Sequence, residues 1–141
     1  MATAKKYPIY EDIPVQVNEA ALLYYMEESP VGVESIDFIR DISGFNDTTI
    51  AEWLNINVKT LRSYKSGQTV LKDYVQEKVA ILLALFKHGK EVFGSFDDFS
   101  TWLQLPNFFF DKRPPADFMT TFSGTKFIDD RLTGMEYGDN A

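Results

Sequence analysis

A chain of 141 residues with 45% hydrophobic and 15% aromatic side chains carries enough apolar surface for one compact domain, or for two small ones sharing an interface, and is not a disordered polymer. It has no cysteine, which excludes a disulfide framework, a cysteine-ligated metal site and a thiol nucleophile. The formal net charge of −7 argues against a non-specific nucleic-acid coat protein, because such proteins displace counterions with an excess of Lys and Arg.

The first seventeen residues contain Pro8 and Pro14, show no stable period and read as a loosely held arm. Their two lysines lead into no apolar core, and no later run approaches the roughly 20 apolar residues of a membrane span. The expectation is a cytoplasmic protein with no membrane partner. Asn18 then precedes an expected helix over Glu19 to Met26, ended by Ser29 and Pro30. Ile36, Ile39 and Ile42 recur at helical spacing before Gly44, which predicts a second helix from about Ser35 to Ile42.

Two short helices follow, one capped by Asp47 and the other by Asn57. Ile50, Trp53, Leu54, Leu61 and Tyr64 face inward, with Ile56 in the corner between them. This is the pattern of a helix-turn-helix, whose second helix lies in a DNA major groove. Residues 57–72 carry Lys59, Arg62, Lys65 and Lys72 and no acid; they are either an ordinary solvated face or a basic surface in an acidic chain. On the DNA-binding reading Lys59 and Lys65 neutralise phosphates, Thr60 and Ser63 donate to phosphates or base edges, and Arg62 pairs with a guanine edge.

From Leu71 to about Lys87, the stripe Val75, Val79, Leu82, Leu83 and Phe86 is widened by Ile81, Ala84 and Leu85 almost all the way round. Such a helix must be buried against other helices or a second subunit, and it offers a natural surface for a homodimer. His88, the sole histidine, is expected at the end of this helix, before Gly89, in a surface or capping role.

The C-terminal third has a different texture. Ser95 and Asp98 suit a capping box ahead of Phe96, Phe99, Trp102 and Leu103, on a helix that stops at Leu105-Pro106. Phe108, Phe109 and Phe110 cannot all enter one core, so a partner surface and a local plug are both open. Pro115 opens an expected helix over 116–121. Ser123-Gly124 opens a last one, with Phe127, Ile128, Leu132 and Met135 inward and Asp129, Asp130 and Arg131 outward. Trp53 and Trp102 read as core. The acid pairs Asp97-Asp98 and Asp129-Asp130 point about 100° apart on a helix and converge on no common point. With one histidine and no glycine-rich phosphate loop, no catalytic site, metal site, cofactor or small-molecule substrate is expected. No strand pattern emerges, and the fold class is all-α.

The run Phe99-Ser100-Thr101-Trp102-Leu103-Gln104-Leu105-Pro106-Asn107, then Arg113-Pro114, then Phe118 to Gly124, then Arg131-Leu132 and Glu136-Tyr137-Gly138, resembles the toxin-binding domain of the Xre/MbcA/ParS antitoxins. The preceding helix pair resembles the Xre-like DNA-binding part of the same proteins. The chain departs from the family after Asn107, where a pair of glycines is common and Phe108-Phe109-Phe110-Asp111 stands instead. The resemblance implies a helix-turn-helix domain followed by a small helical toxin-binding domain, divided as arm and first helix over 1–33, helix-turn-helix and dimerisation region over 34–92, and toxin-binding domain over 93–141.

It also implies a non-catalytic antitoxin that obstructs the active site of a RES-type, NAD-depleting toxin and binds operator DNA to regulate its own operon. Toxin contact falls on Phe109, Arg113, Thr121, Gly124, Arg131, Glu136, Tyr137, Gly138 and Asp139, with Tyr137 as an anchor and the acidic tail competing for a basic dinucleotide site. The alternative is a stand-alone transcription regulator with a ligand-sensing C-terminal domain, recognisable by a pocket with convergent polar groups.

Overall fold

The computed structural model describes residue 13 and residues 19–28, 31–67 and 69–141. The expectations for the arm, for Asn18 and for Ser29-Pro30 lie outside the described residues. The described elements are α1 (Glu19–Glu28), α2 (Val33–Ser43), α3 (Asp47–Leu54), α4 (Val58–Lys65), α5 (Asp73–Phe93), α6 (Phe96–Gln104), 3-10 turns at Phe108–Phe110 and Pro115–Phe118, and α7 (Phe122–Glu136). The only extended pairing among them is an isolated antiparallel bridge between Asn107 and Arg113, and the fold is all-α.

Local chemistry sets most of the boundaries. Gly44 takes the left-handed conformation (φ 72°) and ends α2, as a glycine without a Cβ can at little cost. Asn46, not Asp47, caps α3: its side chain accepts from the Thr49 amide at 2.9 Å. Asp47 is instead the first helical residue, where a carboxylate suits the positive helix end, and it pairs with Arg40 of α2 at 3.4 Å and Lys65 of α4 at 3.2 Å. The turn after α3 rests on Asn55 in the left-handed region (φ 59°), with the Ile56 amide donating to the Ala51 carbonyl at 3.0 Å. Asn57 caps α4 by accepting from Thr60 at 2.8 Å.

The long helix α5 is the centre of the molecule. It packs against α1, α2 and α3 and also against α6 and α7. Every residue from Val79 to Phe86 is buried within the single chain. The apolar surface expected to form a dimer contact is therefore covered by the chain's own helices. The helix also passes straight through His88 and Gly89 and stops only at Gly94 (φ 92°). Gly89 does not break it, because an ideal Cβ there would run into the Phe99 ring; the missing side chain lets α6 approach.

In the C-terminal third, Ser95 accepts from the Asp98 amide at 3.1 Å and starts α6 as expected. Two boundaries differ from expectation. Pro115 opens a 3-10 turn that ends at Phe118, because the chain must become extended again at Thr121, which caps α7 by accepting from Gly124 at 2.9 Å. Gly124 itself sits inside the first turn, where a Cβ would collide with the Phe118 carbonyl.

One continuous aromatic core links the parts. Trp53 of α3 lies 6.1 Å from Phe86 of α5, Phe86 5.2 Å from Phe99 of α6, and Phe99 6.0 Å from Trp102 in a stacked pair. Phe110 carries the contact on to Phe127 of α7 at 4.9 Å. Tilted and edge-to-face rings at such separations add to the hydrophobic term. Both tryptophans belong to this core.

Candidate functional site

Two surfaces collect the residues that the sequence singles out. On α4, Lys59 and Arg62 are exposed and three positions apart, a spacing that places them on one helix face. Thr60 lies in the same first turn with its amide held by Asn57. Ser63 shares a hydrogen bond with Thr69 at 2.8 Å. Lys65 is brought in differently: its ammonium is directed to Asp47, so it ties α4 to α3.

The second surface surrounds the C-terminal end of α7. Asn107 organises the neighbouring loop. Its side-chain oxygen accepts from the Phe109 amide at 2.9 Å, and its carbonyl accepts from Phe110 and Lys112 at 3.0 and 2.9 Å. Only Phe110 of the three phenylalanines is buried; Phe108 is 79% exposed and Phe109 half-exposed. The loop then turns through Asp111 (φ 57°) and Lys112 (φ 63°), two successive left-handed positions that glycine would occupy without the Cβ penalty.

Arg131 projects from α7 onto this loop. Its guanidinium lies 3.8 Å from the centre of the Phe109 ring, donates to the Asn140 carbonyl at 2.6 Å and faces Asp139 at 3.7 Å. The tail is therefore not a free charged end. Gly138 turns it back (φ 100°), the Asp139 amide donates to Gly134 at 3.0 Å, and the Ala141 main-chain oxygen accepts from Asn107 at 3.0 Å and from the Trp102 indole at 3.4 Å. The Tyr137 ring projects outward, 86% exposed. Phe109, Arg131, Glu136, Tyr137, Gly138 and Asp139 thus lie together, while Thr121 and Gly124 form the opposite end of α7. That helix is about 22 Å long at 1.5 Å per residue, and these two residues shape its start. Arg113 is exposed, bonded to Asp117 at 3.4 Å and 5.0 Å above the Phe118 ring.

His88 corrects an expectation. It is neither surface nor cap; its side chain is 1% exposed, with Nδ1 2.6 Å from Asp129 and Nε2 2.9 Å from Glu136. Asp129, expected outward, is turned in to meet it. Burial, the largest single influence, pulls the imidazole pKa down, but hydrogen bonds and charge from Asp129 and then Glu136 outweigh it, and the pKa lies above the ordinary value. The sequence signal was present in the single histidine and two acids seven residues apart, two helical turns on one face; their pairing across 41 residues was not.

A third feature is a cleft of about 400 Å³ between α3 and the second 3-10 turn, lined by Thr49, Glu52, Trp53, Arg113, Asp117 and Thr120 among others. Among the described residues no group of three or more His, Asp or Glu is placed to hold a metal ion, and no helix is long and apolar enough to cross a membrane.

Residues 88–138 match the family model of the antitoxin Xre/MbcA/ParS C-terminal toxin-binding domain. The match opens at His88 and closes at Gly138, so it spans the Asn107 loop and the histidine contacts and ends where the tail turns back. It supports an Xre/MbcA/ParS-type antitoxin whose partner is a toxin. No curated protein matches the chain.

Proposed function

We propose that this protein is the cytoplasmic antitoxin of a RES-type, NAD-depleting toxin, that it acts by binding and not by catalysis, and that it also binds operator DNA to regulate its own operon. The observation that carries the toxin-binding part is the coincidence of the family match with an exposed aromatic face, Phe108, Phe109 and Tyr137, held by Asn107 and Arg131. Rigid aromatic side chains of this kind anchor interfaces because they bury large area at small entropic loss. Tyr137 is the anchor, and the acidic tail beside it, with Glu136 held by His88 and Asp139 at the surface, faces a basic dinucleotide site. The DNA-binding part rests on the α3–α4 pair read as a helix-turn-helix, with Lys59 and Arg62 on its open face. Reading two half-sites requires a homodimer, formed by a surface other than the buried stripe of α5.

Co-expression with the neighbouring open reading frame, size-exclusion chromatography and a cellular NAD assay test the toxin-binding part. Co-elution, with NAD falling only when this chain is absent, is the expected result; a partner that leaves NAD untouched rules out the RES assignment. For the DNA part, a gel-shift titration against the upstream region at two salt concentrations should show a salt-dependent complex.

One observation favours the alternative of a ligand-sensing regulator. The cleft beside Trp53 brings Thr49, Glu52, Arg113, Asp117 and Thr120 around a volume within the range of small-molecule sites. Loss of every partner on co-expression, with operator binding retained, would favour that reading.

A further inference from the structure

Neutral imidazole has one N–H and one lone pair, whereas imidazolium has two N–H groups. His88 sits between two carboxylate oxygens, 2.6 Å from Asp129 and 2.9 Å from Glu136. Only the charged ring satisfies both; in either neutral tautomer a nitrogen lone pair faces a carboxylate. The two acids are not equivalent. The Asp129 side chain is 5% exposed and has nowhere to turn, while the Glu136 side chain is 38% exposed at the last turn of α7. A deprotonated ring therefore keeps its proton toward Asp129 and frees Glu136 to swing into water.

The other charges around the ring do not alter this choice. On α5, Lys87 donates to the Ile13 carbonyl at 3.0 Å, Lys90 lies 5.0 Å from the Phe96 ring, and Glu91 is exposed. On α6, Phe99 faces Gly89, and Asp97 and Asp98 are exposed. Glu27 of α1, Glu34 and Asp41 of α2 and Glu52 of α3 are exposed, Asp37 is half-buried, and Arg40 pairs with Asp47. From α7, Lys126 is directed to Asp130 and Arg131 to the tail. The charges acting on the ring are those of Asp129 and Glu136.

We infer that His88 is a positioning residue for the docking face: as imidazolium it clamps the last turn of α7 through Glu136, and on losing its proton it releases that turn, changing the placement of Tyr137 and the affinity for the partner. The clamp stands on the geometry alone; its effect on affinity rests on the proposed toxin-binding role.

The single histidine makes the test direct. In the ¹⁵N-labelled full chain, the ring nitrogens and the Tyr137 and Gly138 amides are followed by NMR as pH rises. The expected result is a ring that titrates above the ordinary imidazole value and is protonated on both nitrogens below that titration, with the two amides shifting along the ring's own titration curve. In Glu136→Gln, whose amide can accept from imidazolium or donate to imidazole, the ring should titrate at lower pH and the amides should stop following it. Unchanged Leu82 and Ile128 amides report an intact fold. A ring that titrates below the ordinary imidazole value, or Tyr137 and Gly138 amides indifferent to its titration, overturns the clamp. With the co-purified partner, Kd should rise several-fold across the same titration in the natural chain and show no such rise in Glu136→Gln, whatever its absolute level. A flat profile in the natural chain, with amides that do follow the ring, overturns the link to docking. Failure to recover any partner overturns the proposed function and leaves the clamp to stand on the NMR result.

Discussion

The α3–α4 pair and the α5–α7 junction are both built from short polar contacts, yet they are assembled on opposite principles. The first closes locally: Asn46 to Thr49, Asn57 to Thr60 and Asn55 at the turn all act within a few residues. The second closes at long range, with His88 reaching Asp129 and Glu136, and Asn107 and Trp102 reaching Ala141. Local closure survives changes elsewhere in the chain. Long-range closure makes the shape of one surface depend on a buried charge far away in sequence.

Substitutions can break or sharpen that contrast. The largest expected effect is at the junction: Asp129→Ala leaves a buried imidazole without its closest counter-charge and should cost about 3–5 kcal/mol in chemical denaturation. The same contact sets a pH dependence. Because the folded pKa of His88 is raised, its contribution is complete below the unfolded value of about 6.5 and is lost as pH rises through the folded one. The denaturation midpoint should fall over that window, and Glu136→Gln should flatten the fall. Next in size, Gly124→Ala drives a Cβ toward the Phe118 carbonyl and should cost about 1–3 kcal/mol, read as a lower thermal midpoint. Asn57→Ala removes one cap and should cost about 1 kcal/mol, with the α5 and α7 amide shifts unmoved. A loss that spreads to those shifts would show that the two regions are not closed independently. Smallest, Lys112→Gly should raise stability by up to about 1 kcal/mol by relieving a left-handed lysine.

Sequence reasoning recovered what local chemistry and periodicity determine. Gly44, Asn57, Ser95 and the inward set Ile50, Trp53, Leu54, Leu61 and Tyr64 all act within one or two turns. It placed the cap of α3 one residue late, since Asn46 and Asp47 are both capping types and only the backbone decides between them. It ended α5 early because Gly89 reads as a stop in sequence, although the absent Cβ is there to admit Phe99. At the candidate site, the motifs from Trp102-Leu103 to Tyr137-Gly138 were legible in the sequence, but the different structural parts their residues play were invisible. Thr121 and Gly124 shape the start of α7, Asn107 holds the loop, and Arg131 is occupied by Phe109 and the tail. Asp129 reads as a solvated acid in any helical wheel, because its partner sits on another helix.

The sharing of α5 between the two halves has a consequence for modular exchange. It is walled by α1, α2 and α3 and also by α6 and α7, with Gly89 cut to the outline of Phe99. A segment taken from residue 93 onward would arrive without the beam on which it is seated. Transplanting this segment onto another helical scaffold therefore requires carrying α5 along, and with it the surface that α1 to α3 must recognise.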